Sequence, residues 1–176
     1  MDPVHIDLAV HWSARLSSFL FAVALTLPRL TPRLSRQATE LYAAFILAHT
    51  MHFGFVGWMA HVTDGANMFP GGRSVTDVGG WPTVLGIFVF FYALASVGLV
   101  ARQVGPHAGH PLRLANRVTT TCLGLLFVVT YVGLIPHSLW YAVPGAFVAM
   151  GMIVDALGNT VRQPHCLRCA LQGGAA

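Results

Sequence analysis

The sequence predicts an all-α integral membrane protein, a bundle of five transmembrane helices. Three observations carry that prediction. Hydrophobic residues make up 55% of the 176-residue chain and charged residues only 9%, against about 25% charged in an ordinary soluble domain. Mean hydropathy is +0.65. Five apolar runs recur along the chain, each near the ~20 residues that a helix needs to cross the hydrocarbon of a bilayer.

The runs follow in order. The first is His11 to Pro28, with Arg15 in its first turn and Pro28–Arg29 closing it. The second is Thr39 to His61, whose stretch LYAAFILAHTMHFGFVGWMAH organises the rest of the chain. The third is Trp81 to Ala101, after the glycine-rich loop TDGANMFPGGRSVTDVGG. The fourth is Val118 to Ile135 and the fifth Ser138 to Leu157. Only Pro136 and His137 join the last two, which implies a tight antiparallel hairpin. Residues 1–10 then form an outer N-terminal segment, 11–157 the transmembrane domain and 158–176 a cytoplasmic tail.

Arginine sets the expected orientation. All ten basic residues are arginine. Arg29, Arg33, Arg36, Arg102, Arg113, Arg117, Arg162 and Arg168 fall on one side of the five spans, and Arg15 and Arg73 on the other. The positive-inside rule makes the first side cytoplasmic. The N-terminus is then outside and the C-terminus inside. Trp12, Trp58, Trp81 and Trp140 all fall near the outer ends, as an interfacial belt requires. Gly54, Gly57, Gly145, Ala149, Gly151 and Gly158 are small enough to let helices approach.

A net charge of +4 is too small and too dispersed for nucleic-acid binding, so the partner expected is the lipid bilayer. The start, MDPVHIDLAVHW, lacks a positive n-region, and no cleavable signal peptide is expected. Three cysteines make no disulfide framework. Cys166 and Cys169, beside His165, have a spacing that can hold a metal or act as a redox pair, but without a second pair of ligands they read as incidental thiols of the tail.

The chemistry lies in the histidines. An imidazole in hydrocarbon is costly unless it faces protein, water or a ligand. His49 falls near the midplane and His52 one turn further out, about 60° apart on one helical face. They read as cofactor-binding residues. One planar cofactor would use one of them as axial ligand; one metal ion could use both, since imidazole suits iron, copper and zinc. His11, His61 and His137 gather near the outer leaflet and form a candidate metal site. His107 and His110 read as loop residues.

HWSARLSSFLFAVALTLPRL, LYAAFILAHTMHF, GWPTVLGIFVFFYALASVGLV and LRLANRVTTTCLGLLFVVTY, taken in this order, resemble the ferric-reductase-like transmembrane family, particularly the haem-carrying membrane subunit of bacterial periplasmic methionine-sulfoxide reductase systems. The resemblance spans about residues 10 to 157. It implies haem b on His49, electron transfer to an outer acceptor, an unidentified protein or redox partner, and a place in the bacterial inner membrane. The second haem helix of that family carries two histidines; here Ala115 and Val128 stand at those places. The expectation is therefore a membrane electron-transfer protein with haem b at His49 or His52. The alternatives are a histidine-based metalloenzyme or metal-binding protein holding iron, copper or zinc, and a haem-less structural subunit of a larger complex.

Overall fold

The computed structural model describes residues 3–31, 37–66, 73–105, 109–136 and 138–161. Its elements are α1 (Pro3–Leu30), α2 (Ala38–Val62), α3 (Gly80–Val104), α4 (His110–Leu134) and α5 (Ala142–Val161). All five helices are long and apolar enough to cross a membrane. At 1.5 Å per residue, a helix such as α2 is about 38 Å long, more than the ~30 Å of hydrocarbon. The chain is thus an all-helical protein with five candidate spans.

Two helices start about two turns before their apolar runs do. α1 begins at Pro3 rather than His11, so most of the expected N-terminal segment is its first two turns. Proline is pre-organised for a first turn because its missing N–H is not needed there. α4 begins at His110 rather than Val118, with Gly109 extended before it and Pro111 in its first turn. Hydropathy alone placed Arg113 and Arg117 in a loop, but two charges do not stop a helix whose start is set by Gly-His-Pro. α5 starts later than its run because a short 3-10 turn, Leu139–Tyr141, comes first.

The entrance to α3 is held by backbone. A 3-10 turn at Thr76–Val78 leads into Gly79 and Gly80 at φ 96° and 78°. Residues with a Cβ rarely adopt this left-handed region. The turn is tied by Asp77, whose Oδ2 accepts from the Ser74 amide and hydroxyl, both at 2.7 Å.

α1 packs along α2 and along α5, α3 along α4, and α4 along α5; α2 meets α3 over a shorter stretch. The core between them is aromatic. Phe21, Phe45, Phe91 and Phe127 are all buried, and Phe45 lies 4.9 Å from Phe21, 5.9 Å from Phe91 and 6.0 Å from Phe127, ring centre to ring centre. Ala22 of α1 packs closely on α5, since a Cβ on Gly151 would meet its backbone at 3.3 Å. Exposed Leu47, Leu85, Val89, Leu125, Val129 and Ile153 cover the outside of the bundle, as lipid contact requires.

One end of the bundle carries Arg102, Arg113 and Arg117. The opposite end carries the start of α1, His61 and all four tryptophans, each at least half exposed.

Candidate functional site

The site is built where α2 faces α1. His49 sits near the middle of α2 and is 8% exposed. Its Nδ1 lies 2.9 Å from Ser17 Oγ. His52, one turn on, has Nδ1 3.1 Å from Ser13 Oγ. The helices run antiparallel, so a serine pair four residues apart on α1 meets a histidine pair three residues apart on α2.

The serines favour the tautomers with the proton on Nδ1. Ser17 Oγ donates to the Ala14 carbonyl at 2.9 Å, and Ser13 Oγ donates to the Val10 carbonyl at 3.0 Å. A hydroxyl has one proton. With that proton on a carbonyl, the serine oxygen accepts, and Nδ1–H of the imidazole donates. Each ring then keeps its lone pair on Nε2. Among the described residues, neither Nε2 makes a hydrogen bond. A metal-ligating histidine is held in this way, with its other N–H given to a fixed acceptor.

The two rings stand 5.3 Å apart, tilted by 41°. Two imidazoles sharing one ion at about 2.0–2.1 Å would have ring centres about 5 Å apart in a tetrahedral arrangement. The spacing of the rings therefore matches one shared ion.

Four phenyl rings enclose His49. Phe91 is 4.2 Å away, Phe53 4.5 Å, Phe127 5.2 Å and Phe45 5.9 Å, centre to centre. Haem b needs a slot for a planar macrocycle beside its ligand. Here the helices opposite His49 bring Phe91 and Phe127 into that space, and neither Ala115 nor Val128 can ligate iron.

The outer histidines are placed separately. His11 bonds the Asp7 carbonyl at 2.8 Å, lies 3.4 Å from the Asp7 carboxylate, and packs 5.9 Å from the Tyr141 ring. His61 is exposed in the last turn of α2, about 13 Å along the helix from His52. His137, with His107, His165, Cys166 and Cys169, lies outside the described residues, so its approach to His61 does too. Among the described residues, no three His, Cys, Asp or Glu side chains gather around one metal-sized space.

Sequence reasoning singled out both site histidines and missed the serines that aim them. The available signal was Ser13 and Ser17 four residues apart in an apolar run, which puts two hydroxyls on one helical face.

Comparison with family models, with curated proteins and with solved structures finds no match to this chain.

Proposed function

We propose that this chain is an integral membrane metal-binding protein whose centre is the imidazole pair of His49 and His52, and that its ion is copper(I). The observation that carries the reading is the pair of Nδ1–serine hydrogen bonds, at 2.9 and 3.1 Å. They direct two Nε2 lone pairs from rings 5.3 Å apart.

The donor set selects the ion. Both ligands are neutral, and no carboxylate joins them in a metal-sized group among the described residues. A buried charge is costly unless paired, so one positive charge is tolerated better than two. Zinc sites complete four-coordination. A cuprous ion accepts three ligands as well as four; the ring spacing fits a bent rather than a linear imidazole pair, which leaves a position for an external ligand, and the facing phenyl rings add cation–π attraction.

A haem b electron-transfer protein is the second reading. What favours it is that His49 combines a midplane depth with a fixed, unshared Nε2, as an axial ligand would. In either case the N-terminus lies outside and the C-terminus in the cytoplasm, on the arginine distribution. The resemblance set out above supports the bacterial inner membrane and an unidentified protein or redox partner.

An optical spectrum of the detergent-purified protein, before and after dithionite, with metal analysis of the same sample, tests both. The expected result is a protein without a Soret band that holds one copper per chain after anaerobic cuprous loading and loses it in His49→Ala and His52→Ala. A Soret band with sharp reduced α and β bands would establish haem instead. Full copper retention in both variants would sink the imidazole-pair site.

A further inference from the structure

Behind Ser17, the Ala14 carbonyl of α1 has more donors than it can accept. The helical N–H of Ser18, four residues on, donates to it. Three hydroxyls also reach it: Ser17 Oγ at 2.9 Å, Ser18 Oγ at 3.0 Å and Tyr131 Oη of α4 at 3.1 Å. A carbonyl oxygen has two lone pairs. One remains after the N–H, so one hydroxyl at a time makes a full bond there.

Each of the three has another acceptor. Ser18 Oγ lies 3.0 Å from the Arg15 carbonyl, and Tyr131 Oη lies 2.8 Å from Ser18 Oγ. Ser17 Oγ has His49 Nδ1 at 2.9 Å, open to it only when that nitrogen carries no proton. Ser17 and Ser18 are fully buried and Tyr131 is buried with them, so bulk water offers no further acceptor.

The carbonyl and the imidazole are therefore coupled. When Ser17 holds the carbonyl, Ser18 turns to Arg15 and Tyr131 donates to Ser18. His49 then gives Nδ1–H to Ser17, and its Nε2 is bare. When Tyr131 takes the carbonyl, Ser17 is driven onto Nδ1 and the ring proton moves to Nε2. Tyr131 Oη stands nearer Ser18 Oγ, at 2.8 Å, than the carbonyl, at 3.1 Å, which favours the first arrangement.

We propose that Ser18 is a positioning residue for the metal centre. Its hydroxyl draws the Tyr131 proton off the Ala14 carbonyl, leaves that carbonyl to Ser17, and so keeps the Nε2 lone pair of His49 free for an ion. Ser18 itself bonds neither imidazole. The role of the lone pair rests on the imidazole-pair reading above; the coupling of the hydroxyls does not.

The test reads the His49 tautomer by nitrogen-15 NMR of the metal-free, full-length protein in detergent, above the ordinary histidine range. The His49 signals are those missing from His49→Gln. Wild type is expected to carry the proton on Nδ1, and a wild-type proton on Nε2 overturns the proposal before any variant is made. Ser18→Ala leaves Tyr131 only the carbonyl, so the proton is expected on Nε2. Tyr131→Phe removes that competitor while Ser18 keeps Arg15, and the proton stays on Nδ1. With Ser18→Ala and Tyr131→Phe together, Ser17 alone reaches the carbonyl, and the proton returns to Nδ1. Cuprous affinity should follow, about 10- to 100-fold weaker in Ser18→Ala and restored in the double variant. A packing defect would not be repaired by losing a second hydroxyl. Nδ1–H persisting in Ser18→Ala overturns the proposal, as does Nε2–H in Tyr131→Phe or in the double variant. The two readings fail separately. A chain that binds no copper yet shows the reversal and its rescue sinks the metal reading alone. Copper affinity that falls in Ser18→Ala without the reversal sinks this proposal alone.

Discussion

Ser17 is the residue on which the metal reading is most exposed. It touches no ion in the proposed site. It fixes the ring that does, by accepting Nδ1–H of His49 at 2.9 Å. Loss of such a supporting partner typically lowers metal affinity by about 10- to 100-fold. Ser17→Ala is therefore expected to weaken cuprous binding by about that factor in competition with a chelator, while helix content by circular dichroism stays at the wild-type level. Unchanged affinity would show that the hydroxyl does not orient a ligand. Asp77 offers a separate test at the same scale, in the loop before α3. The Ser74 amide and then its hydroxyl hold the Asp77 carboxyl below the usual carboxylate range. The folded value is the lower one. The support this turn gives is thus complete above the ordinary carboxylate range and is lost as pH falls through the lowered value. Protection of the Ser74 amide in hydrogen exchange should follow that curve, and in Asp77→Asn it should become flat with pH. His49 and His52 were legible in the sequence because a histidine in an apolar run stands out by solvation alone. Ser13, Ser17, Ser18 and Tyr131 were not. Hydroxyls are common in membrane helices, and which of them matters depends on the rotation of one helix against another.

Helix packing makes its own predictions. Two buried glycines on facing helices meet different neighbours. A Cβ on Gly151 would press on the backbone of Ala22 at 3.3 Å, whereas one on Gly124 would meet only the side chain of Met152. A backbone yields by shifting a helix; a thioether yields by changing rotamer. Gly151→Ala is expected to destabilise by about 1–3 kcal/mol, in the range of overpacked cores. Gly124→Ala should be milder despite the closer overlap. Reversible unfolding in mixed detergent measures both, and a larger effect at Gly124 would mean that α5 slides on α1 more freely than the packing implies. The helices themselves were legible to different degrees. α2 (Ala38–Val62) nearly coincides with its apolar run, because hydropathy and helix end together there. The start of α4 was displaced by two turns, because a window that counts charge ends a span at Arg117 while Pro111 begins the helix well before it.

At the scale of the molecule, the five helices were legible from apolar length alone, and orientation rests on arginine placement. The described arginines divide as that argument needs. Arg102, Arg113 and Arg117 share one end of the bundle. Arg73 lies in the loop at the other end, and Arg15 turns toward that end, 5.3 Å from the Trp12 ring and 5.7 Å from Tyr141. A long cationic side chain that reaches from within a span toward the interface is snorkelling, so Arg15 belongs with the arginine-poor side although it sits inside α1. Orientation decides from which compartment an ion would approach His52 and His49, since His52 lies nearer the His61 end. Single cysteines in a background with Cys122, Cys166 and Cys169 changed to serine can measure it. Ser74→Cys is expected to react with an impermeant maleimide in intact cells, and Gly109→Cys only after permeabilisation. The reverse pattern would put the arginine-rich end outside and invert the direction of loading. Equal labelling of both positions in intact cells would mean a mixed topology, which the eight-to-two division of arginines is large enough to forbid if they act as the positive-inside rule describes.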